Sequence, residues 1–243
     1  MIEFEPLGDT AIRVSFGNEI NETTHKQIQQ FIVRLSIEKI TEIIEWVPAY
    51  TTVAIYYRPE DISYEKLSTL IKKVFAASSH SPDGVARVYE IPVLYGGKTG
   101  PDLSYLAKYH HLTEEEVIAL HCGQEYLIYM MGFVPGFPYL GGLSPKLTVQ
   151  RLEHPRPSVA AGSVGIGGNQ TGIYPSKVPS GWRILGITPV KLFDITKPSP
   201  VLLSAGNYIK FYPIDGAEFV RIKQLAAEDK YKVKTYLKGG EQK

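Results

Sequence analysis

The sequence predicts an α+β domain at the amino terminus, followed by a mainly β domain. In residues 1–77, apolar residues recur first with the period of a strand and then with that of a helix. Residues 78–85 are small, polar and turn-forming, and are expected to link the two domains. In residues 86–243, short β-branched and aromatic segments alternate with glycine and proline, which is typical of a β-barrel or sandwich.

Changes of period define the elements of the first domain. The predicted elements are a strand over residues 12–16, a helix around 28–35, strands over 43–47 and 52–57, and a helix around 67–74. Asn21 precedes the first helix and is expected to cap it. The order β-α-β-β-α predicts a sandwich of the split-βαβ type, with helices on one face of a small sheet.

The second domain is predicted to consist mostly of short strands. Thr113 and Glu116 have the spacing of a capping box, which predicts a helix from there through Leu120. The predicted strands cover residues 87–94, 126–130, 163–166, 183–186, 191–193, 201–203 and 208–212. The lysine-rich end, from residue 230 to 243, is expected to be a solvated last strand with a frayed tail.

Composition excludes several classes of function. The 243 residues are 44% hydrophobic and 21% charged, with a formal net charge of +1, so no overall field favours nucleic acid. No apolar run reaches the ~20 residues of a membrane helix. The first residues, MIEFEPLGD, lack the features of a secretory signal. The single cysteine, Cys122, cannot form an internal disulfide, and we expect a cytoplasmic protein.

Two glycine motifs resemble nucleotide-binding loops but lack a required residue. The GGKT motif at 96–99 has Pro92 where a phosphate-binding loop needs glycine, so a turn is predicted. The GSVGIGG motif at 162–168 is followed by Gln170 where a dinucleotide fingerprint has its third glycine. Neither motif predicts a nucleotide site.

No metal site is predicted. The histidines considered as ligands are His110, His111, His121 and His154, which lack ligand spacing with Cys122 and are interpreted as surface residues. Cys122 follows His121 directly, and neighbouring residues rarely present both side chains to one reacting atom. We therefore interpret Cys122 as a partly buried structural cysteine at a helix end.

Two segments rich in glycine and proline, residues 132–143 and 155–189, are the candidate functional region. Neither is expected to form an ordinary helix or a central strand. The first is too apolar for an ordinary surface loop, so it must line a groove or be covered by another protein. The candidate catalytic residues are Arg156 and His154. The candidate substrate-binding or interface residues are Phe133, Phe137, Tyr139, Arg151, Gln170, Tyr174 and Arg183, the arginines being suited either to bind anions or to form surface ion pairs.

Four stretches carry a resemblance to a known family. They are GDTAIRVSFG at 8–17, IPVLYGGKTGPDL at 91–103, the stretch from His121 that ends in GFVPGFPYLGGL, and residues 155–189. With them the chain resembles the family labelled allophanate hydrolase subunit 1, also described as the B subunit of 5-oxoprolinase and as an inhibitor of a sporulation sensor histidine kinase. The resemblance implies a small α/β domain followed by a cyclophilin-like β-barrel.

The same resemblance implies a subunit of an ATP-dependent 5-oxoprolinase, which converts pyroglutamate, ATP and water to glutamate, ADP and phosphate. It would act only in complex with two partners, the A and C subunits of 5-oxoprolinase, with ATP and magnesium used by the complex. We hypothesise that phosphorylation activates the lactam carbonyl and that Arg156 stabilises the developing charge. The alternative is a regulatory protein that binds the dimerisation domain of a sensor histidine kinase and inhibits its autophosphorylation.

Overall fold

The computed structural model describes residues 2–78 and 85–239. The chain divides into two compact units, Met1–Gly84 and Val85–Lys243. The predicted linker, residues 78–85, lies almost entirely outside the described residues. Among the helices that the structure describes, none is long and apolar enough to cross a membrane.

The first unit is a four-stranded antiparallel sheet with two helices. Its elements are β1 (Glu3–Pro6), β2 (Ala11–Ser15), α1 (Glu22–Glu38), β3 (Ile43–Pro48), β4 (Thr52–Tyr57) and α2 (Tyr64–Ser78). The strand order is β1-β2-β4-β3. Because β4 is antiparallel to both β2 and β3, these two run parallel with β4 between them, which makes a split βαβ unit.

The apolar residues whose spacing predicted these elements form the faces that the first unit buries. Ile12 and Val14 of β2 pack in one core with Ile28 and Phe31 of α1 and with Leu67 of α2. The predicted cap of α1 is confirmed, since the Asn21 side chain accepts a hydrogen bond from the Thr24 N–H at 2.8 Å. Strand β1 was not predicted, because its four residues, EFEP, are too few and too acidic to show a pattern.

The second unit is built on one large sheet. Its elements are β5 (Arg87–Tyr95), α3 (Leu103–Tyr109), α4 (Glu114–Cys122), β6 (Glu125–Met131), β7 (Pro138–Gly141), a short 3-10 helix (Pro145–Leu147), β8 (Arg156–Val159), β9 (Ser163–Gly167), β10 (Gln170–Ile173), β11 (Val178–Ser180), β12 (Arg183–Ile187), β13 (Tyr208–Pro213), α5 (Gly216–Ala227) and β14 (Thr235–Leu237). Strands follow the order β10-β9-β12-β5-β13-β6-β7, β14 pairs with β5, and β8 and β11 form a separate ribbon.

The two ends of the large sheet approach each other, so the sheet is nearly a closed barrel. A Cβ on Gly172 of β10 would lie 3.4 Å from the carbonyl oxygen of Pro138 on β7. Core side chains such as Ile91, Tyr126, Ile166 and Phe211 fill the interior. The prediction of a mainly β second domain is confirmed at this level, whereas the likeness to a cyclophilin barrel stays a prediction.

Several predictions for the second unit are wrong. Residues 191–193 and 201–203 are not strands, since only a single bridge joins Phe193 to Val201 and prolines interrupt the segment. The expectation that residues 155–189 hold no central strand also fails, because β9 lies between β10 and β12. Glycine makes this possible: a Cβ at Gly165 would lie only 2.9 Å from the Arg183 carbonyl oxygen. Helices α3 and α5 and strands β7, β8, β10 and β11 were not predicted.

Candidate functional site

Both glycine- and proline-rich segments contribute to one aromatic cluster in the second unit. The Trp182 cluster consists of Phe137, Val159, Tyr174, Trp182 and Ile184. The ring centroid of Phe137 lies 5.4 Å from that of Tyr174 and 5.9 Å from that of Trp182, both in tilted or edge-on contact. Phe137 and Tyr174 are each 3% exposed and Trp182 is 6% exposed. The cluster is therefore closed to solvent.

Glycines on β9 and β10 provide the flat surface on which the rings lie. A Cβ at Gly167 would overlap the indole of Trp182. At Gly172, a Cβ would lie 3.1 Å from Trp182 Cζ3 and 3.2 Å from Phe137 Cζ. The Tyr174 hydroxyl is 2.7 Å from Ser180 Oγ, which also accepts the Trp182 N–H. Burial raises the pKa of Tyr174, so this hydroxyl stays neutral.

A loop of apolar residues borders the cluster on the protein surface. The Phe133 loop, residues 132–136, carries Phe133 in a left-handed conformation with φ of 62° and the side chain 61% exposed. Its ring meets Phe137 edge-on at 5.5 Å, and Tyr139 lies 5.2 Å from Phe137 on β7. The loop lines an open groove of about 560 Å³ whose other walls are Met131, Val201, Leu203, Ser204 and Ala205. The loop therefore lines an open groove, which is one of the two alternatives expected for this segment.

Arg156 reaches the cluster from β8 but is already paired. Its Nη2 donates to Asp102 Oδ1 at 2.8 Å, and its Nη1 donates to the Trp182 carbonyl oxygen at 3.2 Å. The Arg156 side chain is 30% exposed, whereas that of Asp102 is 8% exposed. The guanidinium is thus held at the edge of the cluster with part of its surface open to solvent.

The other candidate residues differ in what surrounds them. The Arg151 guanidinium lies 5.9 Å from the Trp182 ring centroid, is exposed, and forms no ion pair with any described residue. His154 is also exposed and makes no hydrogen bond within the described part of the chain. Gln170 begins β10, opposite Gly167 of β9. The Arg183 guanidinium stacks 3.9 Å over the Tyr105 ring on α3. Arg151, Arg156, Phe137 and Tyr174 thus converge on Trp182. The Arg183 guanidinium contacts Tyr105 instead.

His121 is fully buried, so its interpretation as a surface residue is wrong. Its Nδ1 is 2.7 Å from the Tyr95 hydroxyl and its Nε2 is 2.8 Å from Thr171 Oγ1, which donates to the Gly165 carbonyl oxygen. Because Thr171 uses its proton there, His121 Nε2–H is the donor and Tyr95 donates to Nδ1. Desolvation lowers the pKa of His121 to about 3, which keeps the ring neutral.

Cys122 matches its structural interpretation. It is the last residue of α4, is partly buried, and its Sγ lies 3.4 Å from the Tyr95 hydroxyl. Because that hydroxyl donates its proton to His121, the thiol is the donor in this contact. Burial raises the pKa of Cys122, which disfavours the nucleophilic thiolate.

The GGKT motif forms a turn, as predicted. Gly96 and Gly97 have φ of 72° and 55°, and the Gly100 N–H donates to the Gly96 carbonyl oxygen. The Thr99 hydroxyl donates to the same oxygen at 2.8 Å. The Gly96 N–H donates to the Leu185 carbonyl oxygen, so this N–H and the Thr99 hydroxyl are both used within the fold. Among the described residues, no group of three or more His, Cys, Asp or Glu could hold a metal ion.

Two residues that join the site were missed by the sequence analysis. Asp102 precedes α3 after a proline, a pattern that indicates a helix cap and gives no sign of a distant ion pair. Trp182 was not named as a candidate, yet it is the contact that Arg151, Arg156 and Phe137 share. The signal available in the sequence was a tryptophan in a strand-rich segment with many glycines, because glycines leave room for a large ring to pack on a sheet.

Comparison with known families gives one model that matches most of the chain. The model is described as carboxyltransferase domain, subdomain C and D, and it matches residues 2–203. Among curated proteins, the chain is 39% identical over 232 residues to the B subunit of 5-oxoprolinase from Bacillus subtilis, covering 91% of this chain and 97% of that protein. It is 38% identical over 214 residues to the Haemophilus influenzae protein of the same name, covering 88% and 98%.

Solved structures show the same fold inside longer chains. TTHA0988 is 34% identical, with a TM-score of 0.74 over 89% of this chain, which spans 41% of that one. The urea amidolyase of K. lactis superimposes with a TM-score of 0.81 over 98% of this chain and 16% of its own. At 18% identity the second likeness shows the fold alone. Both proteins carry this fold joined covalently to further sequence.

Proposed function

Because the chain belongs to the family of carboxyltransferase domain subdomains C and D, we propose that it is the B-type subunit of an ATP-dependent 5-oxoprolinase. The observation that carries this proposal is the identity of 36–39% to three proteins named as the B subunit of 5-oxoprolinase, each covered over at least 94% of its length. The relation to urea amidolyase fits a wider group that hydrolyses amide-type bonds with ATP. The chain would work with the A and C subunits and open the lactam of pyroglutamate only in their presence. A cytoplasmic location, where ATP is available, follows from this proposal.

The edge of the Trp182 cluster offers the donors that lactam opening needs. Negative charge grows on the carbonyl oxygen as the ring opens, and a fixed N–H donor stabilises it. Arg156 is held in place, partly exposed, and has further N–H groups beyond the two that bind Asp102 and Trp182. Because Asp102 already pairs with it, Arg156 is better suited to a carbonyl oxygen that gains charge only during the reaction than to a permanently charged carboxylate.

Arg151 is suited to a different part of the substrate. It is exposed beside Trp182 and has no acidic partner among the described residues, so its full charge is available to the carboxylate of pyroglutamate. Gln170 is the neutral hydrogen-bonding group, and the exposed His154 the further side chain, proposed to complete the site. ATP with magnesium is proposed to be used by the complex.

The Phe133 loop is proposed to contact a partner subunit. It presents an exposed phenylalanine above a groove whose lining contains no charged side chain. An exposed apolar patch of this kind marks an interaction surface. The occurrence of the same fold within longer chains supports a neighbour for this domain.

Reconstitution tests the proposal directly. The chain is co-expressed with the two presumed partner subunits, and glutamate release from pyroglutamate is measured with and without ATP. We expect release only when all three subunits and ATP are present. A folded, complete complex that releases no glutamate would show the proposal to be wrong. The comparisons give no support to the sensor-kinase alternative, which a kinase autophosphorylation assay with this chain can test.

A further inference from the structure

Asp102 occupies a position where aspartate ordinarily caps a helix, yet it caps nothing. It directly precedes α3, and its side chain accepts no hydrogen bond from that helix. Its Oδ2 instead accepts the Ile184 N–H of β12 at 2.6 Å, and its Oδ1 accepts Arg156 Nη2 at 2.8 Å. Both carboxylate oxygens are therefore used by groups outside α3, namely strand β12 and the Arg156 side chain.

The barrel holds this carboxylate in place independently of Arg156. The Asp102 N–H donates to the Ile184 carbonyl oxygen at 3.0 Å, while the Ile184 N–H donates back to the Asp102 side chain. Two residues earlier, Gly100 lies so close to the Leu185 carbonyl oxygen that a Cβ would not fit. Residue 102 is therefore fixed to β12 on both sides, and its 6% exposure leaves little room to move.

Arg156 is the partner whose position depends on this arrangement. Its side chain is long, 30% exposed, and held by only two hydrogen bonds within the described residues, to Asp102 and to the Trp182 carbonyl oxygen. The contact to Asp102 is the shorter one and is charge-assisted, so it is the stronger of the two. Without it, the guanidinium retains one neutral hydrogen bond and can rotate.

We infer that Asp102 is a positioning residue, which holds the guanidinium of Arg156 in one orientation at the edge of the Trp182 cluster. The inference rests on the proposed function in one respect, namely that Arg156 contacts the substrate. Asp102 itself, being buried behind Arg156, does not. A purely structural ion pair between β8 and the start of α3 would use the same contacts, so the experiment must separate the two roles.

A double-mutant cycle in the complete complex makes that separation. Asp102→Asn keeps the shape and an oxygen for the Ile184 N–H, but turns an N–H₂ group toward Arg156. We expect kcat to fall about tenfold or more with KM little changed, because the donor is misplaced. Arg156→Ala should lower kcat on the order of a hundredfold, as removal of an oxyanion donor does. The double variant should be no slower than Arg156→Ala alone, since Asp102 acts through Arg156.

Independent losses that multiply in the double variant would overturn the inference. Glu153→Gln serves as the control, because Glu153 is an exposed acidic residue three positions before Arg156 with no hydrogen bond to any described residue. The kcat of this variant should match that of the wild type. Thermal unfolding checks that every variant is folded. Should Asp102→Asn not fold, Asp102→Ser replaces it, since serine can still accept the Ile184 N–H.

A second readout does not depend on activity. In side-chain ¹⁵N spectra of the full chain, hindered rotation should keep the Nη signals of Arg156 separate in the wild type and let them merge in Asp102→Asn. Signals unchanged by that substitution would contradict the positioning role. A wild-type complex without activity would defeat the proposed function, whereas the spectra would still decide whether Asp102 holds Arg156.

Discussion

The Trp182 cluster and the Phe133 loop are both rich in aromatic residues, yet one is closed and the other is exposed. Phe137 and Trp182 lie on a glycine surface formed by β9 and β10, and neither is more than 6% exposed. Phe133, only four residues before Phe137, is 61% exposed in a left-handed conformation. The difference shows that aromatic content alone does not distinguish core from interface. Substitutions in the cluster should reduce stability, whereas those in the loop should reduce binding.

Trp182→Ala should give the largest effect. Removing a buried indole leaves a cavity between β9, β10 and Phe137, and should lower the free energy of unfolding of the second unit by about 4 kcal/mol. Urea unfolding followed by far-UV circular dichroism measures this loss. Phe133→Ala is the matched control and should change the same quantity by less than about 0.5 kcal/mol, because its side chain is mostly in solvent. Comparable losses of unfolding free energy in the two variants would show that the cluster and the loop do not differ in their contribution to stability.

The sequence predicted an element well wherever its apolar residues recur with the period of a helix or strand and so form one buried face. Helix α1 and strand β4 follow such faces, and the Thr113–Glu116 capping box is confirmed because both of its hydrogen bonds are local. Strand β9 was predicted over residues 163–166 and is confirmed, but its central position in the sheet was not predicted, since all five residues of SVGIG are buried and the pattern does not alternate. There the packing of neighbouring strands determines the structure, and a single sequence carries little trace of it.

The candidate site was predicted as a set of residue types but not as a set of contacts. Phe137, Tyr174, Arg151 and Arg156 were named, and the structure brings all of them to Trp182. The pairing of Arg156 with Asp102 spans 54 residues of sequence and could not be predicted from spacing. Arginines in such a segment look equivalent until their acidic partners are known, and those partners depend on the tertiary fold.

Buried His121 lies outside the Trp182 cluster, beside Phe211 in the interior of the second unit, and allows pH to test that interior. Burial lowers the pKa of His121 from its ordinary 6.5 to about 3, so the unfolded state takes up a proton first as the pH falls. The contribution of His121 to the free energy of unfolding is constant above about pH 6.5. Between there and about pH 3 this contribution should decline, by up to about 1.4 kcal/mol for each pH unit. His121→Gln, which can still accept from Tyr95 and donate to Thr171, should show a shallower decline in calorimetric scans.

A second buried histidine, His25, also makes stability depend on pH, and the comparison of the two proteins removes its contribution. It lies in the first unit, and burial lowers its pKa to about 4, so it adds its own acid sensitivity. His25 is present in both the wild type and His121→Gln, and its contribution cancels in the difference. A wild type and a variant with parallel pH profiles would show that His121 is not held neutral in the fold.

Phe133→Ser tests the exposed side and should leave stability almost unchanged. If the loop contacts a partner subunit, loss of the central aromatic side chain should weaken that contact by about tenfold or more, as for other aromatic anchors at interfaces. Isothermal titration of the chain with the purified partner subunits measures the affinity. Ile195→Ser is the matched control, because Ile195 is 80% exposed in the same unit and does not line the groove. A loss confined to Phe133→Ser would assign binding to the loop, since both variants remove an exposed apolar side chain. Equal affinities for both variants and the wild type would instead leave Phe133 as a surface residue that only shields Phe137.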